Sequence, residues 1–146
     1  MACELPAWSD GAVAILSTTG DDGAAHAIPL STCVRAGPRR VVFALARRRG
    51  SLARLRAQPR VALTLLAAGD VAVTAHGRAA VVSETLPGVS ASVAAVARDV
   101  ERIADHGGPH FEILAGVCWR WTDARAQERD AAVRAALSAL AAPPTP

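Results

Sequence analysis

The sequence predicts a mainly β domain with flanking helices, built on six antiparallel strands that close or nearly close into a barrel. Three observations carry this. Short runs of alternating apolar residues are joined by tight turns. One long run, Val71 to Val82, has Gly77 near its middle, where a strand bulges or turns a barrel corner. The strand–helix alternation that a parallel sheet needs is missing.

The elements follow in order. Residues 1–10 are irregular, with Pro6 and a lone Trp8. Val13 to Thr19 is the first strand, and Gly20, Asp21, Asp22 and Gly23 have hairpin chemistry. The return strand runs from Ala25 to Val34, with His26, Ile28, Leu30, Thr32 and Val34 on one face. Pro29 lacks a ladder donor, so this strand belongs at an edge or carries a local break. Ala36, Gly37 and Pro38 turn the chain into the strand Val41–Leu45. A short helix follows with Leu52 and Leu55 on one face, and Pro59 stops it. Val61, Leu63 and Leu65 alternate in the next strand, and the turn Ala67–Asp70 leads to the long one. His76 and Arg78 share a face with Thr74 there and read as partly exposed structural residues.

From Pro87 to about Asp105 the period changes. Val89, Val93, Val96, Val100 and Ile103 recur at helical spacing, which predicts an amphipathic helix ended by Gly107, Gly108 and Pro109. His110 to Trp121 returns to strand character. Asp123 caps a last helix through Val133, Leu137 and Leu140, stopped by Pro143 and Pro144. There is no internal repeat or linker, so residues 1–146 are one domain, with the last few residues disordered.

Half of the 146 residues are hydrophobic and no apolar run reaches transmembrane length. A soluble, cytoplasmic protein is expected. Cys3, Cys33 and Cys118 are scattered, without a CxxC pair or a metal-like grouping with histidine. They read as reduced thiols, with Cys33 and Cys118 as small core residues of strands.

The net charge of +3 hides an asymmetry. Every basic side chain is arginine, nine of the sixteen fall between Arg35 and Arg60, and no carboxylate lies between Asp22 and Asp70. Such a block implies an acidic ligand or partner, or carboxylates brought in by the fold. Its centre is the stretch 47–54. Arg47, Arg48 and Arg49 lead into Gly50 and Ser51, which open the short helix, and Arg54 follows one turn later. Unpaired N–H groups at a helix start attract anions, and guanidinium groups add to that. Ser51 is the expected N-cap, unless its hydroxyl serves a ligand. The plainer alternative is a solvated arginine turn.

These residues resemble a known family. The run AVAILSTTGDDGAAHAIPLSTCV contains a hairpin of the form DG-x-x-H-x-x-P; RRVVFALARRRGSLARLRAQPRVALTLL contains a helix-to-strand join L-x-x-x-P-R-V; VAVTAHGRAAVV is a V-x-V-x-x-x-G-x-A strand. In this order and spacing they are similar to the flavin-binding split-barrel superfamily of pyridoxamine 5'-phosphate oxidase, which includes relatives that bind the deazaflavin F420. The similarity covers Ala12 to Val82, about half the chain. It implies a six-stranded antiparallel split β-barrel, a homodimer, and FMN or F420 bound at the dimer interface. The implied site is Pro29, Leu30, Ser31, Leu45 and Ala46 beneath the ring, with Arg49, Gly50 and Ser51 in the phosphate loop. The chain departs from the pattern where Ser51 replaces a common lysine and Arg54 a common asparagine. The missing cation then falls to Arg49 or Arg54. Ala44 and Leu45 stand where a Thr or Tyr is often found near the ring.

Two functions follow from different classes. One is a flavin- or F420-dependent oxidoreductase that passes a hydride or electrons to a conjugated small molecule. The other is a non-catalytic module that holds a flavin, haem or another anionic ligand, which the departures at Ser51 and Arg54 favour. No Ser-His-Asp pattern or HExxH helix suggests a hydrolase, and His26 reads as structural. Aromatics make up 3% of the residues, too few for the stacking platforms of a single-strand nucleic-acid binder.

Overall fold

The computed structural model describes residues 4–9, 11–90 and 92–141. The expected features at Cys3, Pro143 and Pro144 and at the last few residues lie outside them. Seven strands and two helices follow in the order β1 (Ala14–Thr19), β2 (Ala25–Leu30), β3 (Cys33–Arg35), β4 (Arg40–Ala46), α1 (Gly50–Ala57), β5 (Arg60–Ala67), β6 (Val71–Ser83), β7 (Val93–Asp105) and α2 (Ala124–Ala141). All the strands form one antiparallel sheet in the order β2-β1-β5-β6-β7-β4-β3.

The two edge strands of that order are consecutive in the chain, separated only by Ser31 and Thr32. Three residue steps span at most about 10 Å, so the sheet must curl until its edges almost meet. The result is a half-barrel split at Ser31–Thr32. Pro29 sits in edge strand β2, and the ladder breaks two residues beyond it, so the expected single strand Ala25–Val34 is two.

Two chemistries bend the sheet. At Gly77 the register between β6 and β7 shifts, and a Cβ there would lie 2.0 Å from the Asp99 carbonyl oxygen. Only glycine admits that approach. At the β5–β6 turn Gly69 and Asp70 both take positive φ, 86° and 61°, which suits a tight hairpin.

The core fills the concave face. Leu16, Phe43, Leu45, Leu63, Val96 and Ile103 meet there with Leu52 and Leu55 of α1. On the convex face Val133 and Leu137 of α2 cover Val42, Ala44, Ala95 and Ala97. Asp123 caps α2 as expected, its carboxylate accepting from the Arg125 N–H at 2.9 Å. Leu140 is left exposed.

Four expectations are corrected. The helix over Pro87–Asp105 is strand β7. Its inward residues Ala94, Val96, Arg98 and Val100 keep a period of two, then the bulge opposite Gly77 skips Glu101 and puts Ile103 inward. That phase slip, with Ala95 and Ala97 buried on the other face, imitates helical spacing. The strand over His110–Trp121 is an irregular extended segment with one isolated bridge, Gly108 to Phe111. Both edges of neighbouring β6 are already paired, so the segment crosses the sheet instead of joining it. It is tied by Ile113 to Asp70 and by the Trp119 indole to the Gly11 carbonyl. Cys118 on that segment is exposed, whereas Cys33 is buried in β3. The N-cap of α1 is Arg49, not Ser51, and no side chain caps it.

Candidate functional site

A cleft of about 310 Å³ opens where the half-barrel splits. One wall is the end of β2 and the break, Ile28 to Thr32; beside it run Ala44, Leu45 and Ala46 at the end of β4. Of the expected site residues, Pro29, Leu30, Ser31, Leu45, Ala46 and Arg49 are brought together here. The break ends the β1–β2 ladder at Leu30, and its carbonyls are taken up elsewhere, that of Thr32 by the Ala44 N–H at 3.4 Å and that of Ser31 by a side chain of α2.

Arg47, Arg48, Gly50, Ser51 and Arg54 do not line this cleft. Arg47 and Arg48 are exposed on the β4–α1 loop. Ser51 is buried as the second residue of α1, and its hydroxyl accepts from Arg54 Nη2 at 3.2 Å. Arg54 Nε donates to the Thr18 hydroxyl at 3.1 Å, tying α1 to β1. Its Nη1 folds back over the helix start, 2.7 Å from where a Gly50 Cβ would stand, and donates to no protein group among the described residues. The first turn of α1 therefore has unpaired N–H groups, no acidic residue and one spare guanidinium nitrogen. His26 lies off the cleft, at the β1–β2 hairpin beside Gly20 and Arg54.

The opposite wall comes from the C-terminal part of the chain: Trp121, then Ala126, Arg129, Asp130 and Val133 of α2. Sequence reasoning missed all of these as site residues. The Asp123 cap signalled the helix, but nothing local signalled which strand ends it would face. Asp130 is held by Arg134, whose Nε donates to its Oδ2 at 2.8 Å, with both side chains mostly buried. Arg134 Nη2 donates to the Ser31 carbonyl, so α2 grips the break directly. Arg129 and Arg49 make no ion pair among the described residues. The cleft thus has apolar walls, two available guanidinium groups and one carboxylate already neutralised. It suits a planar, anionic ligand.

Behind the floor lies a second electrostatic feature. Arg98 of β7 points into the core, fully buried, with Nη2 donating to the Val61 carbonyl at 3.0 Å and Nε and Nη1 unpartnered. Burial lowers its pKa to about 10, against the pull of Cys33 and Glu101. Burial likewise pushes the Cys33 thiol up to about 12, opposed by Arg98 and Arg134. A thiol held protonated is not a nucleophile. On the convex face, the His76 pKa is lowered by desolvation and by Arg102, Arg98 and His106, and the side chain is partly exposed, as expected. Among the described residues no group of three His, Cys, Asp or Glu side chains is placed to hold a metal.

Residues 7–114 match the family model of pyridoxamine 5'-phosphate oxidase. No curated protein matches the chain. Among solved structures, the protein HupZ of Group A Streptococcus is similar at 14% identity and a TM-score of 0.58, over 72% of this chain and 90% of that one. An F420 reductase is similar at 12% identity and a TM-score of 0.55, over 64% and 90%. A FAD-binding protein from Mesorhizobium loti is similar at 17% identity and a TM-score of 0.51, over 63% and 83%. At these identities the likeness is one of fold.

Proposed function

The chain belongs to the pyridoxamine 5'-phosphate oxidase family, and from that premise we propose that its cleft binds FMN or F420 and that the protein is an oxidoreductase. The observation that carries the reading is the cleft itself: an apolar floor of Pro29, Leu30, Leu45 and Ala46, with Arg49 at its end. These residues fit the group. The floor accepts a flat ring, and Arg49, with Arg54 Nη1 and the α1 N–H groups near by, matches a phosphate. Neighbours of the same fold that are an F420 reductase and a FAD-binding protein support the cofactor class.

The bound cofactor would supply hydride or electron transfer to a conjugated small molecule. The chain's own residues bind and orient it. The break at Ser31–Thr32 would line one side of the bound ring, and Ala126, Arg129 and Val133 of α2 would wall the other. No residue of the cleft is free to act as an acid, because Asp130 is committed to Arg134. A proton would come from solvent. That same observation favours a second reading, a module that holds its ligand without turnover.

Titrating the purified protein with FMN and with F420, followed by absorbance and fluorescence, tests the proposal. Saturable binding of one of them supports it, and binding of neither overturns it. Reduction of an added quinone, enone or dye by the loaded protein separates enzyme from module.

The reading includes a homodimer in the cytoplasm. Among the described residues no helix is long and apolar enough to cross a membrane. Ile15, Leu66, Phe111 and Leu114 are exposed apolar side chains, and a second copy would cover them. Sedimentation equilibrium showing only monomer at micromolar concentration would sink that part.

A further inference from the structure

We propose that the trough beside the cleft is a second binding site, for a planar, conjugated, largely apolar small molecule. The proposal rests on the proposed function, since it takes the cleft as the cofactor's place and gives the cofactor's reaction partner a place of its own.

The trough measures about 450 Å³ and shares Pro29, Ser31 and Trp121 with the cleft. The two therefore adjoin at those three residues. Its aromatic lining is Trp119 and the shared Trp121, whose rings stand 5.2 Å apart at 83°. Two indoles at right angles make a corner, with one face for a flat π-system to stack on and one edge to meet its rim. The corner is set before any ligand arrives, because Trp119 Nε1 donates to the Gly11 carbonyl at 2.9 Å. A fixed aromatic wall loses little conformational freedom on binding. Arg120 also lines the trough and makes no ion pair among the described residues. Its guanidinium suits a carbonyl or anionic group on the edge of such a molecule.

The continuity with the cleft favours a small molecule over a second copy of the chain as occupant. The residues that make the corner lie beyond the family-matched stretch, whereas Val13, Pro29 and Ser31 of the same trough lie within it.

The test uses 1,4-naphthoquinone as probe, titrated into the protein with and without FMN and followed by tryptophan quenching. Saturable binding to the wild type is expected, weakened at least ~10-fold by Trp119→Leu, with FMN affinity changed less than ~2-fold. Because Trp119→Leu can disturb folding, Val13→Phe is measured beside it. That change adds bulk at another lining residue, keeps both indoles, and should block the quinone to the same degree. Quinone affinity unchanged in both variants overturns the proposal. So does a wild type that fails to bind the quinone while Trp119→Leu splits a dimer, which would give the corner to a second copy. If FMN and F420 do not bind but the quinone does, sensitively to both variants, the trough stands and the cofactor reading falls.

Discussion

The guanidinium of Arg134 donates to the carbonyl of Ser31, across 103 residues of sequence. The contact joins the last helix to the break in the sheet, and the same side chain holds Asp130. Both of its partners, Ser31 and Asp130, line the candidate cleft. Strands β2 and β3 need not diverge by themselves; α2 gives the freed carbonyl a donor, which a broken ladder otherwise lacks.

Arg134→Met should therefore be costly. The ion pair is largely buried, at 14% and 11% side-chain exposure, so removing one partner leaves a carboxylate without compensation. A loss of about 3 kcal/mol is expected, the low end for breaking a buried pair. Chemical denaturation measures it. The double variant Arg134→Met/Asp130→Leu should recover part of the loss, and a double variant worse than the single would contradict the account.

Arg49 and Arg54 should separate when each is replaced by alanine. Arg49 is exposed and makes no ion pair, so Arg49→Ala should leave stability unchanged while weakening FMN or F420. Arg54 bonds Thr18 and Ser51, so Arg54→Ala should lower the melting temperature as well. Each charged hydrogen bond is worth roughly 1.5–3 kcal/mol, so the pair together should cost at least tenfold in affinity. Fluorescence titration and thermal melts read the two effects apart. Unchanged affinity in the double variant would leave both arginines as structural or surface charge.

Alkaline pH should reveal Cys33. Its pKa is raised from 9.0 to about 12, so the folded state keeps a proton that the unfolded chain gives up. The stability this contributes is complete below pH 9 and is lost as pH rises toward 12, roughly 2–3 kcal/mol of it by pH 11. Arg98 works the other way. Its pKa is lowered to about 10, so its burial is a cost at neutral pH that lifts above pH 10. The chain has no lysine or tyrosine to obscure this window. Denaturation between pH 8 and 11 should show a decline that Cys33→Ala flattens and Arg98→Met steepens. At pH 7 Arg98→Met should itself stabilise by about 1–3 kcal/mol, since an apolar side chain replaces a buried charge with two unpartnered donors. Destabilisation at pH 7 would mean that the guanidinium is satisfied in solution.

Gly77→Ala should be among the most damaging small changes in the chain. The new methyl would fall 2.0 Å from the Asp99 carbonyl, which is backbone and cannot swing away. The β6–β7 bulge must then move, at an expected cost of about 3 kcal/mol or more. Gly11→Ala, where nothing lies within 4 Å, is the matched control. A melting temperature equal to the control's would show that the bulge can relax.

Much of this fold was legible in the sequence where the chemistry is local. The Gly20–Gly23 turn, the stop at Pro59, the bulge at Gly77 and the cap at Asp123 each depend on a few neighbouring residues, and each stands where it was expected. The arginine block and the ordered motifs from Ala12 to Val82 were equally plain, and with them the family. Tertiary structure alone decided the rest. Whether Val93–Asp105 is helix or strand turned on a phase slip opposite Gly77 and on α2 covering the outer face, and neither is written in its own spacing. His110–Trp121 has a strand's alternation, but a strand needs an open edge, and β6 had none left. The break fell at Ser31–Thr32 because there the curled sheet brings its two edges together and Arg134 receives the freed carbonyl. Turn and cap chemistry acts within one or two residues, whereas pairing and cover depend on which distant segments arrive, so only the folded chain could set them.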